Sequence, residues 1–159
     1  MARALAVDLY GEAAYEDGYR VYTTVDSRRQ QMANEAVSRN LLSYDERHGY
    51  RGREGRYDLG EHEGPEGWNR LLRQHGRVAD LLPALVLSVD DDAGVAGIFV
   101  DGEQTELPFD GMRWARRWVS QAVVGEAPER PSQVVSEGDL IRVRETDDGW
   151  RLAQVPDIQ

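Results

Sequence analysis

Apolar residues recur at helical steps in the first half of the chain and alternate in the second half. Leu5, Ala6 and Leu9 share one face of a short helix over residues 2–10, and Gly11 is placed to stop it. In residues 19–25, Tyr19, Val21, Thr23 and Val25 fall on one side and Arg20, Tyr22 and Thr24 on the other. That alternation, rich in β-branched and aromatic residues, predicts a strand. Asp26 or Ser27 then caps a long helix, with Ser27 and Gln30 at the spacing of a capping box. Ala33, Ala36, Val37, Leu41 and Tyr44 form its apolar stripe, and it should fade between Arg47 and Gly49.

Between Tyr50 and Gly67 the pattern lapses. Five glycines and seven arginines and glutamates surround only Tyr50, Tyr57 and Leu59, which predicts a flexible glycine-rich loop over residues 49–67. A short helix follows from Glu66 to Gly76, anchored by Trp68, Leu71 and Leu72. Leu85–Val89 and Gly94–Val100 read as strands joined by an aspartate-rich turn, and Thr105–Phe109 as a third strand after the hairpin dipeptide Asp101-Gly102. Met112–Val119 is read as a helical insert. Leu140–Arg144 and Trp150–Val155 form a last hairpin around Asp147-Asp148-Gly149. Closely spaced turns and a helical insert between the third and fourth of five strands predict a mainly β domain with some helix: a five-stranded Greek-key barrel of the oligonucleotide/oligosaccharide-binding (OB) type over residues 68–157. The strand–helix segment 1–48 then reads as a linker ahead of it.

Composition narrows the chemistry. The chain has 159 residues and a formal net charge of −10. Cysteine is absent, so disulfides, thiol catalysis and cysteine zinc sites are excluded. All 19 basic residues are arginine. Without lysine there is no Walker-type phosphate loop, no side-chain Schiff base and no Ser-x-x-Lys nucleophile. An acidic chain is a poor match for nucleic acid, whose binding rests on neutralising phosphates. No apolar run is long enough to span a bilayer, so no direct membrane insertion is expected; the first residues, interrupted by Asp8, do not read as a signal peptide.

Candidate chemistry is sparse. His62 with Glu61, Glu63 and Asp58 matches no metal-ligand spacing, and Asp90-Asp91-Asp92 lacks the alternating ligands of a calcium loop and reads as a hairpin turn. No catalytic residue, cofactor or metal ligand is assigned. The one concentrated feature is Gly111-Met112-Arg113-Trp114-Ala115-Arg116-Arg117-Trp118. Arginine and tryptophan dominate interface hot spots. Trp114 is expected to plug the barrel; Arg113, Arg116, Arg117 and Trp118 are the candidate partner-binding residues.

Five stretches carry a resemblance. Tyr10–Asp26 with its Arg20-Val21-Tyr22-Thr23-Thr24 element, Asn34-Glu35-Ala36-Val37, Tyr44–Gly52, Asp110–Arg116 and Trp150–Pro156 resemble, in the same order, the class A penicillin-binding proteins, bifunctional peptidoglycan synthases, and specifically their 1a type. The resemblance implies the interdomain linker and OB-like domain, with a glycosyltransferase domain before Met1 and a transpeptidase domain after Gln159. It implies a periplasmic location in a protein anchored in the cytoplasmic membrane. It also implies a non-catalytic regulatory role, docking an outer-membrane lipoprotein that activates the synthase. A structural spacer between the catalytic domains and a glycan-contacting barrel are the alternatives. The ladder partner of the 19–25 strand is then expected beyond Gln159.

Overall fold

A computed structural model describes residues 2–157 except Asp17, Val21, Thr23, Glu63 and Gln121. The chain divides into two units, Met1–Ser38 and Arg39–Gln159.

In the first unit, α1 (Ala2–Tyr10) ends at Gly11, whose φ of +59° reverses the chain into the short α2 (Ala13–Glu16). Tyr10 and Tyr19 stack with centroids 4.7 Å apart, and the Arg3 guanidinium donates to the Tyr15 hydroxyl. The long helix α3 (Ser27–His48) is capped by Asp26, whose Oδ1 accepts the Arg29 amide at 3.0 Å. Asp26 is therefore the cap rather than Ser27, and Gln30 donates to Asn34 instead of closing a capping box. The strand expected over residues 19–25 does not form among the described residues. Tyr19, Arg20, Tyr22, Thr24 and Val25 are irregular, while Val21 and Thr23 lie outside the description. Strand propensity without a neighbouring ladder leaves backbone groups to water, and none of the described strands pairs with this segment.

The second unit contains β1 (Gly55–Arg56), α4 (Gly64–His75), β2 (Leu82–Asp90), β3 (Val95–Val100), β4 (Glu103–Pro108), β5 (Trp118–Ser120), β6 (Val123–Val124), β7 (Asp139–Thr146) and β8 (Gly149–Ala153). Among the described residues, six strands form one antiparallel sheet in the order β1-β7-β2-β3-β4, with β8 also paired to β7; β5 and β6 make a separate hairpin. The architecture is the expected antiparallel, OB-like one, but with six strands and a hairpin where five strands were expected. The β3–β4 turn is made by Asp101 and Gly102, both at positive φ (51° and 89°), as the dipeptide demands.

The sheet has two covered faces. Ala84, Val86, Ala96, Ile98, Val100, Ile141 and Val143 point into the barrel and meet Leu107, Met112 and Leu152 there. Their neighbours Leu85, Phe99 and Leu140 point outward and are covered by α4 through Trp68, Leu71 and Leu72; Trp68 meets Phe99 edge-on at 5.2 Å. Burial on both faces is why Ala84-Leu85-Val86-Leu87 is continuously apolar rather than alternating. The buried Arg142 on the outer face pins the end of α4: its Nε donates to Glu54 at 2.9 Å, and Nη2 donates to the His75 carbonyl at 2.9 Å.

Three boundaries differ from the sequence reading. The stretch 49–67, expected to be a flexible loop, is tied to the barrel: Glu54 donates to Leu140, Tyr57 to Gly138, and β1 pairs with β7. Its last residues already belong to α4, which begins at Gly64 rather than at Glu66. The last turns of α3 belong with the second unit, where Leu42 packs on Leu81 and Ala153, and Asp45 holds Arg51 through two bonds of 2.6 and 2.9 Å. The helix expected over 112–119 is absent. A 3-10 turn at Phe109–Gly111 leads through Met112 and Trp114 into extended chain, because residues 116–118 bond to Tyr50 and to β6 instead of to each other.

Candidate docking surface

The surface begins with Gly49, where the backbone turns at φ +96° after α3. A Cβ there would stand 2.8 Å from the Arg116 carbonyl, so only glycine fits. The turn lays Tyr50 beside Arg117 in a parallel bridge: the Tyr50 amide donates to the Arg116 carbonyl at 2.6 Å, and the Trp118 amide donates to the Tyr50 carbonyl at 2.9 Å. The buried Gln154 fastens this strand from the other end of the chain. Its Nε2 donates to the Gly49 carbonyl and its Oε1 accepts the Arg51 amide, both at 2.9 Å. The Tyr50 ring is buried against the barrel core and meets Trp114 edge-on at 5.8 Å. Burial, with the nearby Asp139 and Glu54 carboxylates, pushes its phenol well above the usual range against the opposing pull of Arg53, so it stays neutral.

On this base stands the β5–β6 hairpin, where Trp118 faces Val124 and Ser120 faces Val123 across a bulge. Arg116 steadies it by donating from Nε to the Gly125 carbonyl at 2.8 Å. The hairpin leaves Trp118, Val119 and Val123 exposed by 41, 53 and 52%, respectively. Beneath it runs a groove of about 930 Å³, lined by Trp118, Val119, Arg117, Glu126, Pro128, Glu129 and residues 50–52, among others.

The structure separates the four candidate residues. Arg117 and Trp118 line the groove. Arg116 is at its margin, spent on the hairpin backbone. Arg113 lies apart: it pairs with Asp110 at 2.7 Å and covers the Phe109 ring. Trp114 is half-buried against the barrel core and donates from Nε1 to the Leu152 carbonyl at 3.0 Å. Sequence reasoning missed Val119, Val123, Glu126 and Glu129. The signal for the first two was a β-branched Val119 and a Val123-Val124 pair on either side of a two-residue connection.

The other candidates resolve into local bonds. Asp58 accepts the Gly60 amide, and His62 lies edge-on to Tyr57. Asp90 caps its hairpin turn by accepting the Ala93 amide, and Asp91 accepts both the Ser132 amide and its hydroxyl. No grouping of acids and histidines suited to a metal ion occurs among the described residues, and no helix among them is long and apolar enough to cross a membrane.

Residues 50–158 match the family described as the penicillin-binding protein OB-like domain. The chain belongs to this family. This OB-like domain and the segment before it are similar along 99% of the chain to penicillin-binding protein 1A of Escherichia coli, at 39% identity, and along 98% to that of Vibrio cholerae, at 41%. The crystal structure of penicillin-binding protein 1A from Haemophilus influenzae superposes with a TM-score of 0.75 at 32% identity over 97% of the chain. The chain spans about a fifth of these relatives: 19% of the E. coli protein, 20% of the V. cholerae protein and 21% of the H. influenzae chain.

Proposed function

We propose that this OB-like domain is a non-catalytic docking module of a bifunctional peptidoglycan synthase. It sits on the periplasmic side of a membrane-anchored chain, between a glycosyltransferase and a transpeptidase domain, and receives an outer-membrane lipoprotein activator. The observation that carries the reading is the β5–β6 hairpin. Elsewhere the second unit covers most of its large apolar side chains in three clusters and exposes only single ones such as Tyr44 and Val78, whereas this hairpin gathers Trp118, Val119 and Val123 outward beside Arg117. A tryptophan flanked by apolar residues and an arginine is the composition of an interface hot spot. A pure spacer has no need of such a patch, whose exposure carries a solubility cost.

The test is binding of an outer-membrane lipoprotein activator to the chain by calorimetry. Arg117→Glu and Val119→Asp together should weaken binding by roughly 2 kcal/mol or more, the scale of a hot spot, with an unchanged far-UV spectrum. Arg113→Glu should leave binding intact, since Arg113 is spent on Asp110 away from the hairpin. Unchanged binding by the double variant would favour the spacer.

A further inference from the structure

The β5–β6 hairpin is a sheet of two short strands set apart from the main sheet. Two strands alone are marginal in water, and a third strengthens them. On the β5 side the third place is taken: Tyr50 holds β5 through the Arg116 carbonyl and the Trp118 amide. That bridge fixes where the other backbone groups point. Because the Trp118 groups turn to Tyr50, its cross-strand partner Val124 turns the opposite way, away from β5. The next bond agrees: the Gly125 amide donates inward to the Arg117 carbonyl at 2.7 Å. Val124 therefore presents its N–H and C=O to the open side of β6, and Glu126 is the next residue of the same parity. Among the described residues no strand pairs with β6 on that side.

An open edge is a template for another strand unless charge or proline blunts it. The outer strand β4 is blunted, with Glu103 and Glu106 exposed along it and Pro108 at its end. β6 is not: its residues are Val123 and Val124, and Val123 is half exposed. The charges nearby choose the occupant. Arg116 is spent on the Gly125 carbonyl, and Arg130 pairs with Asp91 at 3.6 Å. Glu126 and Glu129 follow β6, and among the described residues no hydrogen bond or ion pair engages either side chain. Against these two carboxylates stands the Arg117 guanidinium, so the strip is negative on balance. Val123 and Glu126 differ in parity and fall on opposite faces of an extended chain. A strand laid beside them meets an apolar face and an acidic one.

We propose that the outer edge of β6 is a strand-addition site for an extended segment of a partner protein in which apolar and basic side chains alternate. The segment pairs its backbone with Val124 and Glu126, covers Val123 with its apolar face and sets its basic face against Glu126. This rests on the docking reading above and names how the hairpin takes its partner.

The experiment is a titration of the isotopically labelled 159-residue chain with a blocked peptide of alternating valine and arginine, followed by NMR. One control carries glutamate in place of arginine. The other is N-methylated at every residue, which keeps the side chains and removes the donors. The valine–arginine peptide should shift the amides of residues 123–126 saturably and slow exchange of the Val124 amide. The glutamate peptide should bind at least about tenfold more weakly, since like charges then face each other. The N-methylated peptide should slow nothing. Val124→Pro removes the outward donor at a place where an edge strand tolerates proline, and should lose at least about tenfold, the scale of a hydrogen bond left unmade. The N-methylated peptide tests the same bond on the unaltered chain. No binding, equal binding by the N-methylated peptide, or shifts centred on β4 would overturn the proposal. The lipoprotein activator is titrated in parallel. Equal binding to the unaltered chain and to Val124→Pro would overturn strand addition and leave docking in place. Activator binding to neither would sink the docking reading, while the peptide arms still decide the edge.

Discussion

Residues 1–38 and residues 39–159 spend their apolar side chains in opposite ways. In the first unit Leu5, Leu9, Tyr10, Tyr15 and Val25 are all more than half exposed, and Tyr22 reaches 87%. In the second, Leu85, Phe99, Ile98, Leu140 and Leu152 are fully buried, in clusters that cover both faces of one sheet. The difference is one of closure. A sheet that pairs β7 with β1, β2 and β8 brings distant residues together and covers them. Among the described residues, three helical segments bring near neighbours together, such as the Tyr10–Tyr19 stack. Stability in this chain therefore resides in the second unit, and large apolar surface in the first unit and on the β5–β6 hairpin is left for contact.

The largest expected effect tests that division directly. Phe99→Ala should cost about 3–5 kcal/mol in urea unfolding, the range for emptying an aromatic core position, while Leu9→Ala should stay within about 0.5 kcal/mol, as exposed substitutions do. Equal losses would show that the first unit is as closely packed as the second. Next is Arg142→Met. Breaking a buried pair costs about 3–5 kcal/mol, but Glu54 is a third exposed and regains water, so about 2–3 kcal/mol is expected. The loss should come with faster hydrogen exchange at the end of α4; normal exchange there would mean that α4 is held by its apolar face alone.

Gly49→Ala comes third. The positive φ and the clash with the Arg116 carbonyl should cost about 1–3 kcal/mol. The effect should spread to the amides of Tyr50 and Trp118, since the hairpin stands on that bridge. A silent substitution would detach the hairpin from Gly49. The smallest effect concerns Asp91. Bonds from the Ser132 hydroxyl and amide hold its carboxyl below the ordinary value of 3.8, with burial opposing and Arg130 adding a little. A depressed carboxylate stabilises above its unfolded value, and that contribution is lost as pH falls through the folded one. Asp91→Asn should therefore lower the melting temperature slightly at neutral pH, and the gap should close in acid. A gap that widens in acid would reverse the assignment.

The sequence revealed most where contacts are local or strictly alternating. Gly11 and Gly76 at helix ends, the Asp101-Gly102 turn and the β7–β8 hairpin all follow from short-range chemistry. Two errors share one cause. Tyr19–Val25 has the composition of a strand but no ladder beside it among the described residues. Met112–Val119 has apolar residues at helical spacing, yet Met112 and Ala115 reach the core from a turn, and Arg116–Trp118 is drawn straight by Tyr50, some 66 residues earlier in the chain. Which backbone a residue pairs with is a long-range property, and local pattern does not carry it. The same holds for the site. The Arg/Trp cluster was visible, but not that Arg113 is diverted to Asp110 or that Glu126 and Glu129 join Arg117 and Trp118 in one groove. Nor did the glycines of 49–67 betray that Gln154 fastens the chain beside them.

The most direct measurement is a hydrogen-exchange footprint of the whole chain with and without an outer-membrane lipoprotein activator, because it sets the two exposed apolar surfaces against each other. Docking on the hairpin predicts slowed exchange across residues 117–129 with residues 2–38 unchanged. Slowed exchange confined to residues 2–38 would contradict it and move the docking face to the first unit.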